Sequence, residues 1–100
     1  MNNLINIGFN KETIDELIEN YGVGLVSGIN AESLNTSKIC ELIKAFGISD
    51  INDYIYYHID IFTYNYDNVK NIIMTADLDK LKKEVINDKD YLAEYITSNI

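Results

Sequence analysis

The sequence predicts an all-α fold of five or six short helices, and three observations carry that expectation. Apolar residues recur three and four positions apart nearly throughout, the spacing of one helix face. Glycines and short polar residues fall where such stretches need ends and caps. An apolar–Gly–apolar–cap–helix pattern also occurs twice in register, as expected of helical units that stack. At 100 residues, 47% hydrophobic, the chain has the size and composition of a single all-helical domain, residues 1–100, with one core.

Taken in order, Asn10 reads as an N-cap with Glu12 in the first turn, and Ile14, Leu17, Ile18 and Tyr21 form the face that follows. Gly22 is placed to end that helix in a left-handed conformation. GVGLVSGIN (22–30) reads as a turn with one short helical turn, partly buried through Val23, Leu25, Val26 and Ile29; a strand there has no evident mate. Asn35 or Thr36 begins the next helix, with Ile39, Leu42, Ile43 and Phe46 on its face and Gly47 as its stop. Ser49 caps a third, with Ile51, Tyr54, Ile55 and His58 inward. An apolar connector through Ile61 and Phe62 leads to a helix opened by Asn65 or Asp67. Thr75 or Asp77 caps the next, and Asp88 the last, which carries Tyr91, Leu92, Tyr95 and Ile96. With no proline in the chain, these boundaries lack their clearest markers.

The repeat is visible by offset. Leu4, Ile7, Gly8, Phe9 and Asn10 match Ile43, Phe46, Gly47, Ile48 and Ser49, each pair 39 residues apart. Ile14, Leu17, Ile18, Tyr21 and Leu25 then match Ile51, Tyr54, Ile55, His58 and Phe62, each 37 apart. The same step reaches Tyr91, Leu92 and Tyr95, but puts Asp88 where an apolar residue is due, so a third unit is degenerate. The expected units are residues 4–41, 42–77 and 78–100, forming a mini-solenoid or a compact helical bundle.

AFGISDINDYIYYHIDIFTYNYDNVKNII (45–73) resembles one repeat of the mitochondrial transcription termination factor (mTERF) family, and the looser pattern covers residues 4–75. Gly22 and Ile59 stand where that family's repeats usually place a proline. The resemblance implies a curved array of helical repeats that binds nucleic acid through a basic groove. The architecture fits the residues; no DNA-binding residue of the family can be matched here.

Charge points away from such a groove. The net charge is −8, with three Lys against seven acids in the first fifty residues and five against nine in the second. There is no Arg, and so no bidentate guanidinium for phosphates. Direct nucleic-acid binding is therefore disfavoured; it would require Lys38, Lys44, Lys70, Lys80, Lys82 and Lys83 to gather on one face. The single cysteine, Cys40, excludes an internal disulfide and fits a reducing compartment. MNNLINIGFN has neither a basic start nor a long apolar run, and no segment is long enough to cross a membrane, so a soluble, cytoplasmic protein is expected. The richness in Ile, Asn, Lys and Tyr is also what a low-GC genome would produce.

No catalytic residue, cofactor or metal is expected. His58 has no second His or Cys beside it, and it aligns with Tyr21 and Tyr95 as a ring at a core edge. Cys40 reads as a small buried hydrophobe and not as half of a Cys–His pair. Asp77, Asp79, Asp88 and Asp90 have the wrong spacing for a calcium loop and suit helix starts. YGVGLVSG (21–28) lacks the lysine of a phosphate loop.

The remaining candidate is a protein interface: Asp53, Tyr56, Tyr57, Asp60, Tyr64, Tyr66 and Asp67, an acidic, aromatic stretch of a kind favoured at contacts. The expectation is a non-enzymatic module whose partner is another protein. The alternatives are an mTERF-like nucleic-acid binder, or an acidic mimic of nucleic acid that engages a basic partner.

Overall fold

In a computed structural model that describes all 100 residues, the chain is all α-helical apart from one 3₁₀ segment. The α-helices are α1 (Asn2–Ile7), α2 (Lys11–Tyr21), α3 (Val23–Ala31), α4 (Ser33–Ala45), α5 (Ile51–Tyr57), α6 (Tyr66–Met74), α7 (Leu78–Asn87) and α8 (Asp90–Asn99), with 3₁₀ helix Ile59–Thr63 after α5. No helix is long and apolar enough to cross a membrane.

Eight α-helices stand where five or six were expected, and the additions are α1 and α3. Six residues are too few for a helix on its own. α1 forms because Leu4 is fully buried and because Asn30 at the end of α3 holds it. The Asn30 Oδ1 accepts from the Leu4 N–H (3.1 Å), and its carbonyl accepts from Asn3 Nδ2 (3.1 Å). α3 forms across two glycines because Val26 and Ile29 are buried on one face, and that packing overrides poor propensity.

Most caps are local, and two are not. Asn10 accepts from the Thr13 N–H (2.8 Å), Asn65 from Asp67 and Asn68, and Asp77 from Lys80, as capping requires. The cap of α5 is Asp50, one residue beyond Ser49, accepting from the Asp53 N–H at 3.1 Å. α4 starts at Ser33, ahead of the expected Asn35 or Thr36, because those two side chains are spent elsewhere. The buried Thr36 hydroxyl donates to the Ile29 carbonyl (2.8 Å), closing α3. The Asn35 amide donates to the Tyr64 carbonyl (2.9 Å) and accepts from the Tyr66 N–H (2.8 Å), fixing the entry to α6. Asp88 ends α7, and its carboxylate accepts from the Asp90 N–H, so α8 begins at Asp90.

Gly47 follows α4 at φ 86°, a conformation that side-chain-bearing residues avoid. Gly22 combines φ 92° with ψ 151°, so it breaks the chain sharply between α2 and α3 instead of adopting the left-handed helical cap expected of it.

The core is one cluster of buried side chains drawn from every helix and the 3₁₀ segment. α1 packs on α4, α2 on α5, and α3 on α1, α2 and α4; α6 packs on α4 and α8, and α7 on α8. The connector residues Ile61 and Phe62 lie deep in it, with the Phe62 ring edge-on to Phe9 at 6.1 Å between centroids.

Candidate functional site

α5 spends its inward positions, Ile51, Tyr54 and Ile55, on the core. The helical period therefore turns Asn52, Asp53 and Tyr57 away from it and leaves Tyr56 at its edge. Asn52 rivets this helix to the turn between α1 and α2: its Oδ1 accepts from the Asn10 N–H (2.9 Å), and its Nδ2 donates to the Gly8 carbonyl (3.5 Å). That clamp opens a surface groove of about 510 Å³ between the start of α2 and α5. Glu16, Asp50 and Asp53 supply its carboxylates, and Tyr56 and Tyr57 its rings. The two rings meet edge to face, with centroids 5.0 Å apart. Tyr56 is half-buried against the core, and its carbonyl accepts from the Tyr21 hydroxyl (2.8 Å); Tyr57 is 67% exposed.

Tyr57 also borders a second, smaller hollow, of about 270 Å³, which it shares with Asp60 and the α8 residue Glu94. Of the seven residues expected at an interface, Asp53, Tyr56 and Tyr57 line one groove, and Asp60 joins Tyr57 on its other side. Tyr64, Tyr66 and Asp67 line neither hollow. Tyr64 and Tyr66 pack half-buried toward α4, where the Lys38 ammonium sits 5.6 Å from the Tyr66 ring centre, and Asp67 is exposed in the first turn of α6.

His58 closes α5 and takes part in a joint with α8. Its Nε2 lies 2.7 Å from Asp90 Oδ1, and its ring is 4.7 Å from that of Tyr54. The Tyr54 hydroxyl donates to the Lys89 carbonyl (2.8 Å) and accepts from the Ala93 N–H (3.1 Å). The bond to the Lys89 carbonyl requires a protonated phenol, and burial pushes the Tyr54 hydroxyl well above the ordinary tyrosine range, outweighing the opposite pull of the Ala93 N–H. Outside the joint, the Lys89 ammonium rests on Asp53 Oδ2 at 2.8 Å, and that hydrogen bond raises its proton affinity. Lys89 is the residue that sequence reasoning missed. Nothing local marks it, since its partner is 36 positions away.

No hydrogen bond joins Cys40 to His58. Cys40 is buried in the core, and desolvation pushes its thiol up to about 12, so it stays protonated at neutral pH. Asp77, Asp88 and Asp90 are engaged as a cap, a turn acceptor and the histidine's partner, and no group of three or more His, Cys, Asp or Glu is placed to hold a metal ion. No protein-family model matches this chain, and no curated protein or solved structure matches it.

Proposed function

We propose that the chain is a non-enzymatic, cytoplasmic protein-interaction module that binds another protein through the acidic tyrosine groove on α5. The observation that carries this reading is Tyr57. A large ring held 67% exposed, braced edge-on by Tyr56 and flanked by Asp53, Asp50 and Glu16, is a rigid amphipathic anchor with carboxylates around it. The engaged histidine and the protonated thiol favour binding over reaction chemistry.

The scaffold reads as two stacked repeat units, residues 4–41 and 42–77, with a degenerate third at 78–100. Four matched pairs share an environment, Leu4 and Ile43, Phe9 and Ile48, Ile14 and Ile51, and Leu17 and Tyr54 all being buried, whereas Leu25 is 38% exposed and its match Phe62 is buried. Gly8 and Gly47 both take positive φ, and α1 and α2 pack on α4 and α5, as neighbouring units do. Kinship with mTERF repeats is part of this proposal for architecture alone. Lys80, Lys82 and Lys83 share α7 with Asp79 and Glu84, and Lys89 is paired with Asp53, which does not favour a continuous basic groove.

Mimicry of nucleic acid is the second reading, and α2 favours it: Glu12, Asp15, Glu16 and Glu19 are all exposed along one short helix, with Lys11 the one cation there. The test is capture of partners from native lysate by the tagged chain, with and without nuclease, compared with Tyr57→Ala. Tyr57 is chosen over Tyr56 because only Tyr57 can be truncated without touching the core. A protein retained after nuclease, and weakened about tenfold or more by Tyr57→Ala, supports the groove. Equal capture by the variant removes the groove from the reading. A basic partner displaced by competing DNA selects mimicry, and nucleic acid recovered directly overturns the protein-module reading.

A further inference from the structure

Gly24 and Gly28 lie within α3, a helix of nine residues. Glycine is the poorest helix former after proline, so each needs a reason. Conformation supplies none, since neither has a positive φ. Internal packing supplies none either, because a Cβ added at either position would meet no atom within 4 Å. What the two missing side chains do is leave one side of a surface hollow open. That hollow, of about 280 Å³, lies between α3, the start of α4 and the 3₁₀ segment.

Leu25, Ile29 and Phe62 give the hollow apolar walls. Its polar rim is Asn35, Thr63 and Glu32, and two of these are committed. The Asn35 amide serves Tyr64 and Tyr66, and the Thr63 hydroxyl donates to the Asp60 carbonyl (2.6 Å). The Glu32 carboxylate makes no hydrogen bond and no ion pair; although Glu32 precedes α4, its side chain does not cap it. An apolar hollow with one exposed carboxylate, unpaired within the chain, at its mouth has the composition of a ligand site. We propose that it binds a small amphipathic cation, a primary amine or amidine carried on an aromatic or short branched apolar body. Charge selects the sign: Glu32 attracts a cation, and a molecule of net charge −8 repels an anion. Volume sets the size, because about 280 Å³ holds roughly nine water-sized groups at ~30 Å³ each, one ring and a two-carbon arm. The hollow shares no lining residue with the tyrosine groove, so the two proposals stand or fall separately.

The probe is 2-phenylethylammonium, titrated into the ¹⁵N-labelled full chain and followed by two-dimensional NMR. Its comparators have the same body, 3-phenylpropionate with opposite charge and 2-phenylethanol with none. The expected result is saturable shifts at residues 24–32 and 62–63, with a dissociation constant of about 1 mM or below. The carboxylate should bind at least tenfold more weakly, and Glu32→Gln should erase the preference for the amine over the alcohol. Gly28→Leu fills the hollow and should weaken binding at least tenfold. A raised melting temperature, expected on losing a helix glycine, shows that variant is folded; Gly28→Ala, the smaller change, should give a lesser loss. Shifts that do not saturate by about 20 mM, equal binding of the carboxylate, or undiminished binding by folded Gly28→Leu each overturn the proposal.

Discussion

Tyr54→Phe removes one oxygen atom from the joint between α5 and α8, and the structure says what that atom is worth. Tyr54 is 1% exposed, so the phenylalanine ring fills the same space and no cavity forms. The two bonds lost are unequal. The Lys89 carbonyl keeps a second donor, the Leu92 N–H at 3.4 Å. The Ala93 N–H does not bond the Lys89 carbonyl one turn back and donates to the Tyr54 hydroxyl instead, and Ala93 is buried. Leaving such a donor unpaired costs about 1–3 kcal/mol, and losing the weaker share at Lys89 adds little. A loss of about 2 kcal/mol is therefore expected, a large part of the stability of a domain this size. It corresponds to a fall of about 8–16 °C in melting temperature. Urea denaturation followed by far-UV circular dichroism measures the loss, and hydrogen exchange at the Ala93 amide locates it. Tyr57→Phe is the control; its hydroxyl makes no hydrogen bond within the chain, and its effect should stay within about 0.5 kcal/mol. A loss below about 0.5 kcal/mol in Tyr54→Phe, with unchanged exchange at Ala93, would refute the assignment of that hydroxyl as the acceptor of the amide.

Alkaline pH should destabilise the fold in two steps. Cys40 and Tyr54 both hold their protons more tightly folded than unfolded, so their contribution is intact below their unfolded pKa values, about 9.0 and 10.0, and is lost as pH rises above them. Each step has a limiting slope of about 1.4 kcal/mol per pH unit; Cys40→Ala should remove the part that begins near pH 9, read from urea midpoints between pH 7 and 11. Two glycines should answer oppositely to alanine. Gly24→Ala should stabilise by up to about 1 kcal/mol, because its site is helical and open, whereas Gly47→Ala should destabilise by about 1–2 kcal/mol, because φ there is 86°; thermal melts of the pair decide. Thr36→Val keeps the shape of a fully buried side chain but removes its bond to the Ile29 carbonyl, and should cost about 1–2 kcal/mol, with faster amide exchange at the end of α3; an unchanged urea midpoint would count against that bond.

How much of this was legible follows from how far apart the interacting residues lie. Asn10, Asn65 and Asp77 cap the N–H groups two or three residues ahead, and local spacing finds them. The same chemistry marks Asn35 or Thr36 as a helix start, but their partners are elsewhere: Tyr64 and Tyr66 for one, Ile29 behind it for the other. The residue types announced a need for backbone partners and not their location. At 22–30 the glycines speak for a turn with one short helical turn and against a longer helix, and the burial of Val26 and Ile29 that decides the matter belongs to the tertiary fold. At the candidate site, the exposure of Tyr57 and the inward place of Tyr54 follow from helical period. The separation of Tyr64 and Tyr66 from Tyr57 does not, because it depends on how the 3₁₀ segment turns the chain toward α4.

The joint at Tyr54 also puts a clock on biosynthesis. Its hydroxyl and the Ala93 amide are 39 residues apart, and a ribosome adding about 5–20 residues per second needs about 2–8 s to cover that distance. Through that interval the ring in the middle of the chain has been made and its partners have not. Until α8 is made, the side of α5 that will receive it has nothing to pack against. Slow codons between positions 54 and 93 would lengthen that interval without changing a single amino acid.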